Sequence, residues 1–191
     1  MFTIDEIRKE VENKNDFNST KGKEKGKHWF QTFNLSCLIL EPFLHDLIKS
    51  ENEVKPFIVH ANSAKCNQGK KGRKQADNIL FENCREYVLE ELPLYKPDVI
   101  VSQGNKAWDA IGKADGEHKV IDTLSIEYEH NSKTVKMNIF IRDMNGRKFM
   151  HIPMFHPSYF RGYWEQKECL KINRFKITEK ITELMNSNSS L

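Results

Sequence analysis

The sequence predicts an α/β fold with neighbouring parallel strands, because strand-like and helix-like segments alternate in its centre. The apolar runs 57–61 and 99–101 each have the length and composition of a short strand. Between them, apolar side chains recur at spacings of three and four residues from Ala76 to Leu92, which indicates an amphipathic helix that Pro93 should end. Strand, helix and strand in this order form a βαβ unit, which joins parallel strands through a right-handed crossover.

The segments before this unit are less regular. Residues 1–4 fit either the start of a strand or the first turn of a helix. Residues 12–28 are polar and predict a loop. Residues 35–48 predict a mostly buried helix that is interrupted by Pro42.

The segments after the unit predict a helix, a meander of strands and a final helix. Gly104 predicts a turn, and Asn105 should cap a short helix. Alternating residues predict strands over 120–129 and 134–141. Asn145-Gly146 predicts a tight hairpin into a last strand, 148–155. The terminal helix, 170–185, should bury Ile172, Phe175, Ile177, Ile181 and Leu184, before a polar tail over 186–191.

Length and composition predict one globular domain over residues 1–191. Hydrophobic residues make up 38% and charged residues 30%, which excludes a disordered chain. No apolar run approaches the ~20 residues of a membrane span. The N-terminus is acidic and unlike a signal peptide, so we expect an intracellular, cytoplasmic protein. We also expect it to be a monomer. Four unevenly spaced cysteines then indicate free thiols or metal ligands rather than disulfides.

The charge of the chain is unevenly distributed. The net charge of +3 does not by itself indicate a nucleic-acid binder. Residues 21–28, however, hold four lysines against one acid, and residues 65–74 hold five basic residues and no acid. Such patches suit phosphate groups, although a solvated loop is the alternative.

Polar residues follow both strands of the predicted βαβ unit. Asn62 and Lys65 come after the first strand, and Gln103 comes after the second. Ligands of parallel sheets bind beyond the carboxyl ends of the strands. We therefore expect all three side chains at one rim of the sheet.

Several motifs in this region resemble the uracil-DNA glycosylase superfamily, and most closely its iron–sulfur branch. They are Asn62-Ser-Ala-Lys-Cys, Cys84-Arg-Glu-Tyr, Lys96-Pro-Asp-Val-Ile-Val, Gly104-Asn-Lys-Ala and Met154-Phe-His-Pro-Ser-Tyr, in an order and spacing that together cover about residues 29–165. The resemblance implies a three-layer α/β/α sandwich with a central, mainly parallel sheet. It also implies a DNA repair hydrolase that excises uracil or a related damaged base from DNA.

The resemblance assigns roles within a base pocket. The amide of Asn62 would read the Watson–Crick edge of uracil, the alternative being a local cap of the next turn. His156 would stabilise the charge on the departing base, the alternative being a local hydrogen bond at the strand end. Phe30, or Trp29, would stack on the flipped base unless these rings belong to the core. Gln103 is expected to contribute to substrate binding at the same rim.

The resemblance also implies contacts with DNA. Residues 159–161 would press into the duplex. The side chains expected at phosphates are Lys65, Lys70, Lys71, Arg73, Ser158 and Arg161.

The chain departs from the family in its first signature, a glycine-rich strand end with a group that positions water. Asp5 is the best-placed acid, and Asp16 is the other candidate. A non-catalytic DNA-binding relative is therefore the alternative reading. A third hypothesis, an α/β protein that binds nucleotides or another phosphate ligand, lacks the spacing of a P-loop.

The chemistry requires no cofactor, but the resemblance implies a 4Fe-4S cluster. Cys66 and Cys84 match two of its four ligands, and the early Cys-x-x-Cys pair is absent. Cys37 and Cys169 would bring the total to four.

Overall fold

The computed structural model describes residues 27–44, 57–61, 78–112, 118–130 and 132–189. The chain divides into two compact units, residues 1–57 and residues 58–191, and each is described by itself. None of the described helices is both long and apolar enough to cross a membrane.

The first unit contains helix α1, Lys27–Leu40. Phe33 and Leu35 are buried. The predicted bounds 35–48 need correction, because the helix begins earlier and ends two residues before Pro42. Proline disfavours helical geometry in the residue before it, which explains the early end. Residues 45–48 lie outside the described part of the chain.

The second unit contains four helices and four strands among its described residues. In chain order they are α2 (Asn78–Tyr95), β1 (Val99–Gln103), α3 (Asn105–Gly112), β2 (His118–His130), β3 (Lys133–Met144), β4 (Arg147–Met154), α4 (Phe160–Ile172) and α5 (Arg174–Ser189).

The four strands form one mixed sheet in the order β1-β4-β3-β2. Strands β1 and β4 are parallel, whereas β4–β3 and β3–β2 are antiparallel. The α/β class is confirmed. The three-layer sandwich with a mainly parallel sheet is not confirmed, because two of the three described pairings are antiparallel. Only two residues separate β2 from β3 and β3 from β4. So short a connection can join antiparallel strands but not parallel ones.

The predicted strand at residues 57–61 is wrong, since this segment holds no strand and does not join the described sheet. Phe57 and Val59 are both exposed, although a buried parallel strand would have covered them. The parallel neighbour of β1 is instead β4, which follows the β2–β3 hairpin.

The predicted strands and turn after residue 117 are confirmed as β2, β3 and β4. Asn145 and Gly146 have φ angles of 53° and 88°. Two consecutive positive φ angles are the geometry of a type I′ hairpin turn. The Gly146 N–H also donates to Asp143 Oδ1 at 3.1 Å.

The predicted C-terminal helix is wrong in its bounds, because two helices, α4 and α5, meet at Asn173. The break changes which side chains face inward. Ile172 and Phe175 are 62% and 80% exposed instead of buried. Ile177, Ile181 and Leu184 are buried as predicted.

Helix α2 continues to Tyr95 with Pro93 in its last turn, so the prediction that Pro93 ends it is wrong. Lys96, with a φ of 46°, follows the helix. Cys84, Val88 and Leu92 are buried as the periodicity predicts, but Ile79 and Tyr87 are exposed.

Helices α2 and α3 pack against one face of the sheet. Their shared core contains Val88, Leu92, Ala110, Ile111, Met144 and Phe149, with Ile100 packed beside it. Neighbouring strand residues point to opposite faces, and Ile139, Ile141, Met150 and Ile152 are buried too. Helix α4 contacts β2 and β3, and α5 contacts β4.

Candidate active site

The described part of the candidate site lies at the carboxyl ends of the parallel strands β1 and β4. Gln103 and Met154 are the last pair of this ladder. The Gly104 N–H donates to the Met154 carbonyl at 2.8 Å and so extends the pairing by one residue. The structure thus places Gln103 at this rim, where the sequence predicts it, and brings His156 to the same rim.

Gly104 and His156 are in close contact at this rim. Gly104 has a φ of +93°, a conformation that side chains rarely adopt. A Cβ atom at this position would lie 3.3 Å from His156 Cβ and 3.8 Å from its Cδ2. The histidine therefore packs onto a backbone surface that a glycine leaves open.

Ser158 fixes the tautomer of His156. The Ser158 backbone N–H donates to His156 Nδ1 at 3.2 Å. Since a backbone N–H can only donate, Nδ1 carries a lone pair and the proton of the neutral ring is on Nε2. The Ser158 hydroxyl, 2.7 Å from the same Nδ1, is then a second donor to it. His156 thus presents Nε2–H as its donor.

Local hydrogen bonds define the loop between β4 and α4. The Phe155 N–H donates to Gln166 Oε1 of α4 at 2.6 Å. The Tyr159 N–H donates to the His156 carbonyl at 2.8 Å, which makes residues 156–159 a turn. Pro157, inside this turn, is buried. These contacts hold His156 in the short connection between strand β4 and helix α4.

Two aromatic rings beside His156 are exposed to solvent. Phe155 and Tyr159 are 43% and 57% exposed, and their rings make an edge contact with centroids 5.1 Å apart. Both rest against Gly162 of α4, where a Cβ atom would lie 2.7 Å from Phe155 Cδ2 and closer still to the Tyr159 ring. We call Phe155 and Tyr159 the aromatic ledge. Sequence reasoning missed Phe155 and Gly162, although a glycine three residues after Tyr159 was a signal of close packing.

Two predicted phosphate contacts already have partners within the protein. The Arg161 side chain is exposed, and its Nε lies 3.1 Å from Glu165 Oε1. The Ser158 hydroxyl bonds to His156. A phosphate at either side chain would have to share it with that partner.

A buried polar network lies just below the rim and was not predicted. It joins Arg142 of β3, His151 of β4 and Ser102 of β1. Arg142, His151 and Ser102 are only 4%, 0% and 3% exposed. Burial lowers the pKa of the Arg142 guanidinium. Spacing along the chain gives no signal for this network, because its three residues belong to three different strands.

Most of the other predicted site residues lie outside the described part of the chain. They are Asp5, Asp16, Asn62, Lys65, Cys66, Lys70, Lys71 and Arg73. The backbone of Trp29 and Phe30 lies in α1, but their side chains are outside the described ones. Their roles stay predictions.

The described cysteines do not make a ligand set for a cluster. Cys84 of α2 and Cys169 of α4 are fully buried, and Cys37 of α1 is partly buried. Burial, with a smaller contribution from the charge of Glu127, raises the pKa of the Cys169 thiol to about 11. The described residues hold no group of three or more His, Cys, Asp or Glu side chains arranged for a metal. Cys66 lies outside them, so the cluster stays a prediction.

Of the comparisons with known proteins, the one with family models gave a match. The family model described as the uracil DNA glycosylase superfamily matches residues 19–177. This span contains the described sheet, Gly104 and the loop that carries His156. Neither the curated proteins nor the solved structures gave a significant match.

Proposed function

We propose that this chain, which belongs to the uracil DNA glycosylase superfamily, hydrolyses the N-glycosidic bond of uracil or a related damaged base in DNA. The observation that carries the proposal is the state of His156. Its ring packs on Gly104 at the ends of two parallel strands, and its Nδ1 accepts the Ser158 N–H. A neutral imidazole with a proton on Nε2 is a donor suited to an oxygen that becomes negative.

Hydrolysis separates the base from the sugar. The bond between the base nitrogen and C1′ breaks, and its electron pair leaves with the base. Water adds its oxygen to C1′, and the proton that it releases balances the charge of the departing base. Negative charge collects largely on O2 of a uracil, and the Nε2–H of His156 would donate to that oxygen. A donor fixed before the reaction stabilises the transition state without reorganisation.

Other residues complete the proposed pocket. The Asn62 amide oxygen would accept N3–H of uracil and its nitrogen would donate to O4, a pattern that cytosine reverses. Phe30 or Trp29 would stack on the flipped base, and Gln103 would line the rim. Asp5 would hold the attacking water.

The proposed DNA contacts surround this pocket. Lys65, Lys70, Lys71 and Arg73 belong to the basic segment of residues 65–74. With Arg161 and Ser158 they would bind phosphates, so affinity should fall as salt rises. In the aromatic ledge, Phe155 directly precedes His156 and Tyr159 follows it by three residues. This position suits the ledge to contact bases next to the flipped nucleotide. Such a protein would act inside the cell, where it meets DNA.

A base-release assay tests the proposal. Single- and double-stranded oligonucleotides that contain uracil are incubated with the protein, and alkali then cleaves abasic sites. We expect cleavage by the wild type and its loss in Asn62→Ala and His156→Ala. Asn138→Ala is a matched control, since this exposed amide of β3 bonds only to Ser125 Oγ among the contacts seen, at 2.9 Å. Wild-type activity that survives both site substitutions would contradict the mechanism.

The rival is a non-catalytic DNA-binding relative, since no water-positioning motif is recognisable in the sequence. It predicts salt-dependent DNA binding without base release from any substrate. Oligonucleotides with uracil, hypoxanthine and other damaged bases, tested alongside undamaged DNA, distinguish the two readings. Release of any one base rules out the rival.

A further inference from the structure

We propose that Ser102, His151 and Arg142 are positioning residues that hold the ends of β1 and β4 in the register at which His156 packs on Gly104. Their effect on catalysis rests on the proposed function, whereas their effect on the His156 ring does not. The three residues belong to neighbouring strands, and together they link β1, β4 and β3 just before the rim.

Only one placement of the protons satisfies both hydrogen bonds of the network. Arg142 Nε donates to His151 Nδ1 at 3.0 Å, and a guanidinium has no acceptor. His151 is therefore neutral, with its proton on Nε2. This proton points at Ser102 Oγ, 2.8 Å away, so His151 donates to the serine. Each link fixes the next, and the order of donors runs from β3 through β4 to β1.

The network lies where the backbone pairing of β4 becomes weaker. The β3–β4 ladder ends at the pair Phe140–His151. Two residues later comes Pro153, which has no N–H to donate towards β3. Beyond His151, the described pairing of β4 is with β1 alone. The side-chain bond from His151 to Ser102 therefore ties these two strands together at the point where the third strand stops pairing.

The same region determines the geometry of the site. Ser102 is level with Pro153 in the β1–β4 register, and Gly104 follows two residues later. A slip or splay of β4 against β1 would move His156 away from the Gly104 backbone, where their atoms are in close contact. The network is thus placed to keep the donor of His156 in position.

Stability alone is a weak reason for such a network. Transfer of a guanidinium and an imidazole out of water is costly, and well-packed apolar replacements of buried ionic groups are often neutral or stabilising. Removal of a single partner is different, because it leaves a buried polar group without its bond. An apolar replacement of all three residues therefore separates positioning from stability.

The test compares the wild type with the triple variant Ser102→Ala, His151→Phe, Arg142→Met. NMR reports the packing of His156 on Gly104 without any substrate, through nuclear Overhauser effects between the Gly104 Hα protons and the His156 ring. We expect these effects in the wild type, and in the triple variant their loss together with shifted His156 ring signals, at similar unfolding free energy. In the base-release assay we expect kcat to fall by about tenfold or more, while KM changes by less than about twofold.

Arg147→Met is the matched control. Arg147 also links β4 to the chain before β1, through an ion pair of 2.6 Å with Asp98, but at the opposite ends of the strands from His156. This variant should lose stability and keep both the His156 signals and kcat. Ser102→Ala and Ser102→Thr form a second pair if the triple variant does not fold. The threonine keeps a hydroxyl for His151 and should restore the wild-type signals.

The outcomes are distinct. Unchanged His156 signals in a folded triple variant, or in Ser102→Ala, overturn the proposal. Equal changes in the Arg147→Met control also overturn it, because they would show a general effect of stability. If the wild type releases no base, the proposed function fails, but the NMR comparison still decides whether the network positions His156.

Discussion

The Gly104 backbone supports the His156 side chain. A Cβ atom added at residue 104 would lie only 3.3 Å from His156 Cβ. Gly104 follows the last residue of β1, and His156 follows the end of β4. A contact this short makes the orientation of the imidazole sensitive to any atom added at residue 104. The pair therefore gives a direct test of whether the rim is a catalytic site.

Gly104→Ala should reduce base release strongly. The added methyl group would push against His156, and the φ of +93° would strain the alanine by about 1–2 kcal/mol. Gly146→Ala is the control, since its φ of +88° is similar but nothing lies within 4 Å of the added Cβ. Both variants should lose comparable unfolding free energy in urea. Equal activity in the two variants would argue against a catalytic role for the contact.

Gly162→Ala should disturb the aromatic ledge. A methyl group at this position would overlap both Phe155 and Tyr159, so the rings must move out of their edge contact. We expect weaker binding to duplex DNA, measured by fluorescence anisotropy at low and high salt. Tyr159→Ala should weaken binding in the same direction but leave the salt slope unchanged, because it removes an apolar contact rather than a phosphate contact. Normal DNA affinity in both variants would remove the ledge from the interface.

Sequence patterns predicted the local elements of this protein better than their assembly. Alternation located β2 and β3, and Asn145-Gly146 located the turn between β3 and β4, because these signals depend on neighbours in the chain. The strand expected at 57–61 is wrong, since a short apolar run has no periodicity that separates a strand from a loop. The break at Asn173 was also missed, because it depends on a bond from this side chain to β2.

In the site, too, sequence patterns predicted local features better than contacts between distant segments. Gln103 was placed at the rim because it follows an apolar run, which is a local signal. The support of His156 by Gly104 depends on the pairing of strands that are about fifty residues apart, as does the bond between Ser102 and His151 in the buried network. Such partners cannot be read from spacing along the chain.

The pH dependence of stability should reveal the buried thiol of Cys169. Its pKa is about 11 in the folded protein, against an ordinary value of 9.0, because burial disfavours the thiolate. The folded state therefore holds this proton more tightly than the unfolded state. The stability that this difference in pKa contributes to the free energy of unfolding is fully present below about pH 9. It is lost as pH rises through about 11.

Urea unfolding between these pH values, for the wild type and Cys169→Ala, measures the effect. The wild type should lose more stability than the variant as pH rises. The difference between the two proteins is the relevant quantity, because Tyr95, whose pKa is raised to about 12, acts in the same direction in both. Parallel curves would mean that the thiol ionises as freely in the folded protein as in the unfolded chain.

Asn173→Ala should destabilise the junction between α4 and α5. The Asn173 side chain is buried, and its Nδ2 donates to the Glu127 carbonyl of β2 at 2.9 Å and to the Cys169 carbonyl at 3.0 Å. Its removal leaves a carbonyl of β2 without this donor, at a cost of about 1–3 kcal/mol in unfolding free energy. Asn138→Ala, which changes an exposed amide, should cost much less. Because Asn173 bonds to neither Gly104 nor His156, activity per folded molecule should stay at the wild-type level. A stable variant with low activity would instead mean that the helix junction controls the rim.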